Sequence, residues 1–472
     1  MKKPSLSSRW LGIMILGLLF FSPSLLQGCD AMIGDDPNGT EPDALVASVP
    51  VEGDGLRHAH LLDKARTKAT GAGKVAGEAT LNLVLGMATY EANGITPRIV
   101  NKFDVTNRLL NKFGEGITIK SEISTALDAL TLTLNESQLD SLLALIESDP
   151  DLSWLEPDPL LGNELAEGTT ARVKRRQNAS WSIAHIGAEK APVPLDASRL
   201  RVYVVDTGVN PISDLNLVGS VDFTPYMELR VPGVDGFEGM RTMNPNRDRP
   251  DSLGHGTHIA GIIGALNNDG GVLGVFPGVA ISSIKVMNSA GVTDMTVLLK
   301  AVDYIMEEKL ANPDLQIVVN MSLGADLESR EMSALDMAIR KSIGIGIVYV
   351  TAAGNDGRDA ITYSPAHVPE AITVGAYDQS DRFAAYSNYG STIDLLAPGT
   401  DILSLSAFGS DVLMLSSGTS MAAPHVAAMA ARYLTLNPGQ SAAQVQTELM
   451  SRATYGILSV PAGTTGAAVS AR

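Results

Sequence analysis

Beyond about residue 200 the apolar positions come in short unbroken runs: LRVYVVD (200–206), AISSIKVM (280–287), QIVVNMSLG (316–324), GIVYVTAAGN (346–355) and EAITVGAY (370–377). They are rich in β-branched residues, and segments of helical periodicity lie between most of them. A strand that is apolar on both faces needs cover on both faces. The pattern therefore predicts an α/β domain with a parallel sheet and helices on either side. In such sheets ligands bind beyond the carboxyl ends of the strands.

A different pattern occupies residues 96–160. The order is strand PRIVNKFD, helix VTNRLLNKF, strands GITIKSEIS and ALTLTL, helix ESQLDSLLALIES and strand LSWLEPD. This βαββαβ order predicts a small ferredoxin-like α+β module. In its second helix Leu139, Leu142, Leu143 and Ile146 share a face, and Asn135 with Gln138 has capping-box spacing. Residues 29–95 are expected to be a flexible tether, because Asp30 to about Gly73 is polar and without sustained periodicity. Residues 161–176 read as a processing linker ending in RVKRR, and residues 177–472 as the main domain.

Residues 1–28 carry Lys2, Lys3 and Arg9 before an apolar run from Trp10 to Phe21, which is short for a membrane span and fits an export signal. The chain's one cysteine, Cys29, rules out a disulfide framework and a cysteine-based zinc site. Leu26-Gln27-Gly28-Cys29 resembles the lipobox of bacterial lipoproteins, which implies lipidation of Cys29 and a membrane anchor for the precursor. A net charge of −17 without a basic stripe argues against a nucleic-acid partner.

Candidate chemistry gathers at the ends of the apolar runs. Asp206 closes the first run, where an acid can orient a base or cap a helix. Its D-T-G context also suggests aspartic-protease chemistry, but no second D-[ST]-G is present to share a proton. His255 and His258 share a face in GHGTHIAG; a zincin would need an adjacent glutamate, which is absent. Asn355 ends another run in a glycine-rich turn. Ser420 opens the alanine-rich segment SSGTSMAAPHVAAMAA, where Thr419 or Ser420 can cap the helix, Pro424 is tolerated in a first turn, and the helix dipole favours negative charge.

VVDTGV, GHGTHIAG, NMSLG, AAGN and GTSMAAPHVA, in that order, resemble the core motifs of the subtilisin-like serine proteases. ALNNDGGVLGV is closer to bacterial subtilisins, and YSPAHVPEAITVGAYDQSDRFAAYSNYGS to proteinase K. The resemblance implies that Ser420 is the nucleophile, His255 the general base, Asp206 its orienting acid and Asn355 an oxyanion donor, with His258 a packing residue. Asn320, Ser322, Leu323 and Gly324, with Ala352, Ala353 and Gly354, are the implied substrate-binding edges, and Tyr363 lies near the floor of the first pocket. The segment 221–250 is longer than a minimal member carries and is expected to form a loop near the cleft.

The same resemblance implies structural calcium, held by Gln177, Asp214 and Asn268 with the carbonyls of Leu266, Gly270 and Val272. A second, weaker site is implied at Asp394 with the carbonyls of Pro369 and Ala371. Residues 96–160 resemble the family's inhibitory propeptide, and VKRRQNASWSIAHIGA its junction, with a cut expected near Arg176. Together these readings give an exported monomeric endopeptidase that acts on proteins or peptides, is made as a self-processing zymogen, and is released into the periplasm or medium after processing. The alternative is a catalytically silent surface lipoprotein that binds a partner; the intact set of Asp206, His255, Ser420 and Asn355 opposes it.

Overall fold

The computed structural model describes residues 55–56, 80–87, 90–92, 95–98, 102–158, 160–162, 169–172, 177, 180–190, 197–224, 241–242, 251–268, 270–409 and 412–471. All of them lie in one compact unit, 50–472. The export segment, Cys29, residues 173–176 and most of the 221–250 insert lie outside the described residues.

The N-terminal module consists of β1 (Thr80–Met87), α1 (Lys102–Phe113), β2 (Ile117–Ile123), β3 (Ala129–Asn135), α2 (Leu139–Ser148) and β4 (Leu152–Pro157). Its antiparallel strands run in the order β4-β1-β3-β2, the ferredoxin-like arrangement. The expected first strand is misplaced, however. PRIVNKFD contributes only the end of a short strand, Ile95–Arg98, and then enters α1 at Lys102. TLNLVLGM, inside the presumed tether 29–95, is the central strand of the sheet.

The physical reason is that β1 is covered on both faces. Leu81, Leu83 and Leu85 enter the core beneath α1 and α2, while Val84 packs toward the main domain. In α1, by contrast, Val105, Leu109 and Phe113 recur every four residues on one buried face. The Asn135–Gln138 capping box also does not form; Gln138 Nε2 instead donates to the Phe113 carbonyl at 3.3 Å, tying the start of α2 to the end of α1.

The main domain contains β5 (Leu200–Asp206), β6 (Leu217–Asp222), α3 (His255–Gly264), β7 (Ile281–Lys285), α4 (Met295–Ala311), β8 (Gln316–Met321), α5 (Ala334–Gly344), β9 (Ile347–Ala352), β10 (Ile372–Tyr377), β11 (Leu395–Pro398), α6 (Thr419–Leu436) and α7 (Ala442–Ser451). Its strands lie in the order β6-β7-β5-β8-β9-β10-β11 with parallel neighbours throughout, and Arg241–Thr242 adds an antiparallel edge.

Alternate side chains go to opposite faces, which explains the unbroken apolar runs. Val202, Val204, Val318 and Val350 pack with Ile259 of α3 and Ala423, Val426 and Ala427 of α6. Tyr203, Val205, Val319 and Tyr349 pack on the other face with Leu298 and Val302 of α4 and Leu335 and Ile339 of α5. Each such aliphatic side chain contributes on the order of 1.5–3 kcal/mol by leaving water. The alanines of α6 allow it to lie close against the sheet, so its first turn is fixed rigidly at the strands' carboxyl edge.

Candidate active site

Strand β5 lies between β7 and β8, and the candidate residues gather beyond the carboxyl ends of the parallel strands, where ligands bind in such sheets. Asp206 is the last residue of β5 and is fully buried. His255 is the first residue of α3, and its Nδ1 lies 2.7 Å from Asp206 Oδ1. The same carboxylate oxygen accepts the Thr207 amide at 2.7 Å. Two groups therefore fix this carboxylate, and it in turn fixes the face of the imidazole.

A second carboxylate, Asp251, holds the turn that leads into His255. Its Oδ1 accepts the Gly254 amide (2.7 Å) and the Thr207 hydroxyl (2.9 Å), and its Oδ2 accepts the Thr257 amide (2.9 Å) and hydroxyl (2.7 Å). Thr207 Oγ1 also accepts the Gly256 amide at 2.9 Å, so Thr207 ties the Asp206 strand end to the His255 helix start. Asp251 was missed in the sequence. Its signal was an acid four residues before His255, at the position where a helix entry needs acceptors.

Lys285 was also missed. Its register neighbours are Asp206 on one side and Asp222 on the other. Burial pulls its pKa down, against the opposing pull of Asp251, Asp222 and Asp206, and its ammonium donates to the carbonyls of Thr207 and Met287. It is a counter-charge for the buried carboxylates.

His258 is fully buried one turn beyond His255, with Nε2 against the carbonyls of Ile402 (3.0 Å) and Met414 (3.1 Å). Burial pushes its pKa down to about 3, so it is a neutral packing residue.

Ser420 lies in the first turn of α6. The expected self-capping does not occur, because Thr419 serves another purpose: its amide (2.8 Å) and hydroxyl (3.0 Å) both donate to Asn355 Oδ1. The carboxamide oxygen is thus engaged, and Asn355 lines the same cleft as Ser420. Asn355 follows Gly354, whose φ of +97° is left-handed, and a Cβ there would come within 2.4 Å of Asn388 Nδ2. Only glycine allows that turn.

Asn320 is fully buried, and its Nδ2 donates to Ser322 Oγ at 3.0 Å. Ser322 Oγ donates to the Ser420 carbonyl at 3.0 Å, and Ser420 Oγ donates to the Ser322 carbonyl at 3.3 Å. Ser322, Leu323 and Gly324 line one wall, and Ala352 with Gly354 the other. Ala353 is buried behind the second wall, and its carbonyl accepts from Asn388. Tyr363 is buried between Gly324 and Gly354, as its expected place near the pocket floor requires. Beside it a cavity of about 300 Å³ is bounded by Gly324, Ala325, Asp326, Asp356 and Arg358.

The candidate calcium residues converge on one loop. Gln177 Nε2 lies 2.8 Å from the Leu266 carbonyl and 3.5 Å from that of Val272, and Asn268 Nδ2 lies 2.8 Å from Asp214 Oδ1. Gly270 follows at 3.2 Å from Asn268 Oδ1. Asp214 Oδ2 is buried without a hydrogen-bond partner, and burial raises the pKa of this carboxyl. A buried carboxylate oxygen without a partner, on a loop that also gathers two carbonyls at Gln177, is a donor set suited to a hard cation, and a half-turn of either amide would add its oxygen. At the second set both oxygens of Asp394 accept hydrogen bonds, from Thr373 N (2.8 Å) and Gln446 Nε2 (2.9 Å), Pro369 is exposed, and the Ala371 amide closes a turn onto Val368.

An imidazole clamped by a buried carboxylate at one helix start, and a serine in the first turn of another helix lining a walled cleft, are parts that a serine peptidase uses. A family model described as the subtilase family matches residues 198–467, and the chain belongs to that family. M-protease of Shouchella clausii (strain KSM-K16) is 34% identical over 69% of this chain and 74% of its own length. Alkaline serine exoprotease A of Vibrio alginolyticus is 32% identical over 72% of this chain, and the match spans 58% of that enzyme. Among solved structures, a cold adapted subtilisin-like serine proteinase is similar at 33% identity and a TM-score of 0.52, covering 63% of this chain and 99% of that one.

Proposed function

We propose that this subtilisin-like serine endopeptidase hydrolyses peptide bonds through Ser420, His255 and Asp206, with Asn355 and the Ser420 amide stabilising the oxyanion. The observation that carries the reading is the 2.7 Å contact between buried Asp206 and His255, held from both sides by Thr207 and Asp251. Asp206 keeps the imidazole proton on Nδ1, so Nε2 accepts the serine proton as Ser420 Oγ attacks the substrate carbonyl. His255 then protonates the leaving amine, and water reverses the sequence to free the acyl group. A serine-directed label on Ser420, absent in Ser420→Ala, is the direct test. Labelling of the alanine variant at an equal rate would refute the assignment.

We infer further that the enzyme is an exported zymogen whose residues 80–162 act as an intramolecular inhibitor. The contacts supporting this are charged caps on two helices. Asp158 accepts the Met295 amide (2.8 Å) and the Thr296 hydroxyl (2.7 Å) at the start of α4, and Glu156 accepts the Ala334 amide (2.9 Å) at the start of α5. Asp303 of α4 reciprocates, accepting the amides of Thr125 (2.6 Å) and Ala126 (2.7 Å). Lipidation of Cys29 anchors the precursor, the basic and apolar start of residues 1–28 directs export, and calcium bound by Gln177, Asp214, Asn268 and the Leu266 and Val272 carbonyls braces the main domain. Cys29→Ser is expected to leave the precursor soluble.

A further inference from the structure

Asp222, Lys285 and Asp206 form a row across the carboxyl edge of the sheet. They are register neighbours on β6, β7 and β5, so their side chains leave the sheet on one face. That face is the one on which α3 packs, since Val204 and Ile281, two and four residues earlier on their strands, lie in the cluster with Ile259. All three members of the row are buried, as is Asp251. One cation therefore stands among three carboxylates directly beneath the helix that begins with His255.

The ammonium spends its hydrogen bonds on backbone. It donates to the carbonyls of Thr207 (2.5 Å) and Met287 (2.7 Å), just past the two strand ends, and acts on Asp251, Asp222 and Asp206 through its charge. Asp206 shows what that charge answers. Its Oδ1 is engaged by His255 and by the Thr207 amide, whereas its Oδ2 is buried and has no hydrogen-bond partner among the described residues. A buried carboxylate oxygen without a donor is costly unless a charge nearby offsets it. Lys285, in the adjoining register position, provides that charge.

The other titratable groups around the imidazole do not alter this balance. His258, on the same helix, and His425 of α6 are pushed down by burial to about 3 and about 4, so both stay neutral in mildly acidic and alkaline solution. The charges left to act on His255 are the three carboxylates and Lys285.

We propose that Lys285 is a positioning residue of the peptidase reaction: acting through Asp206, its buried ammonium keeps that carboxylate ionised and limits how strongly the carboxylate cluster holds a second proton on His255. The imidazole is thereby available to accept the serine proton at a lower pH than three unbalanced carboxylates would allow. This rests on the peptidase reading and adds to it a residue that acts only through another.

Coulomb's law fixes the sign of each substitution. Removing the cation leaves the carboxylates to favour the imidazolium, so the base is lost at a higher pH. Removing the charge of Asp222, on the far side of Lys285, does the opposite.

The test is the pH dependence of kcat/KM for processed enzyme on an uncharged chromogenic peptide, because its acid limb follows protonation of the free enzyme's base. Lys285→Met should move that limb up by about half a pH unit or more. Asp222→Asn, which keeps an acceptor for the Thr224 amide and hydroxyl, should move it down by a smaller amount. The double variant has the net charge of wild type and should return toward the wild-type limb. Buried charges are little screened, so the shifts should persist in molar salt. If Lys285→Met does not fold, Asp222→Asn carries the test alone. An acid limb that Asp222→Asn leaves in place, that moves the same way in both single variants, or whose shift molar salt abolishes overturns the proposal and leaves Lys285 a structural strut. Wild-type enzyme that hydrolyses no peptide refutes the peptidase reading instead.

Discussion

Ser322 and Ser420 are joined twice: Ser322 Oγ donates to the Ser420 carbonyl at 3.0 Å, and Ser420 Oγ donates to the Ser322 carbonyl at 3.3 Å. The first bond has a cause in the sequence. Pro424 stands four residues after Ser420 inside α6 and has no N–H, so the helix cannot satisfy the Ser420 carbonyl. A side chain from the cleft wall supplies the missing donor and couples the serine's helix to the substrate edge.

Ser322→Ala is expected to destabilise the processed enzyme by about 1–3 kcal/mol, the cost of an unsatisfied buried acceptor. Pro424→Ala restores a backbone donor to that carbonyl. The double variant should therefore lose less stability than the sum of the singles, as denaturant unfolding would reveal. Strict additivity would show that Ser322 and Pro424 do not share this carbonyl.

Ser420→Ala should reduce kcat by roughly four to six orders of magnitude and leave full-length precursor. That range was set largely in subtilisin and is carried over here rather than derived from this chain. Single-turnover assays with a chromogenic peptide give the number, and gel mobility reports the processing.

For Asn355→Ala a loss of about 10²–10³ in kcat is expected, again a magnitude established in subtilisin. KM should change little if the donor acts on the transition state. Because Asn355 Oδ1 also holds Thr419, Asn355→Asp provides the control: it keeps that acceptor and removes the donor. An active aspartate variant would show that Asn355 serves only to hold the helix.

The buried pair Asp336–His367, 2.8 Å apart at the start of α5, sets a pH dependence. Burial lowers the pKa of His367, but the hydrogen bond and charge of Asp336 outweigh it, so the net shift is upward. Its contribution is therefore complete below the ordinary histidine value and is lost as pH rises through the raised one. For Asp336 burial raises the pKa, but the hydrogen bond and charge of His367, with bonds from Ser364 and Ser333, outweigh it and the net shift is downward. That contribution is present above the ordinary carboxylate value and fades as pH falls through the lowered one. The Tm advantage of wild type over His367→Gln should be greatest in mildly acidic solution and shrink in alkali. An advantage independent of pH would exclude the ion pair as its source.

Chelation should lower the Tm of processed enzyme, since a ligand bound only by the native state stabilises it by mass action. Asp214→Asn should abolish the difference between calcium-loaded and chelated samples. A Tm indifferent to chelator in wild type would leave the Leu266–Val272 turn as a purely hydrogen-bonded loop.

Much of this could be read in the chain because its signals are local. The unbroken runs such as Val202–Val205 report burial on two faces, and Asp206, His255, Asn355 and Ser420 each stand at a strand or helix end marked by its own short motif. Helix α2 of the module was legible for the same reason, through Leu139, Leu142 and Ile146 on one face.

What the sequence could not specify was anything that depends on a distant partner. Strand β1 was lost in an apparent tether because its identity comes from pairing with β3 and β4, far along the chain. Thr419 looked like a cap until Asn355 was brought to it, and Asp251 and Lys285 acquire their purpose only where β5, β6 and α3 meet. The processing junction shows the difference most clearly. The basic run before Gln177 is a local signal and drew attention to Arg176, whereas the pairing of Leu160–Gly162 with Val292–Asp294 and of Thr169–Arg172 with Val412–Leu415 is made of long-range ladders, and such bonds exist only after the chain has folded onto itself.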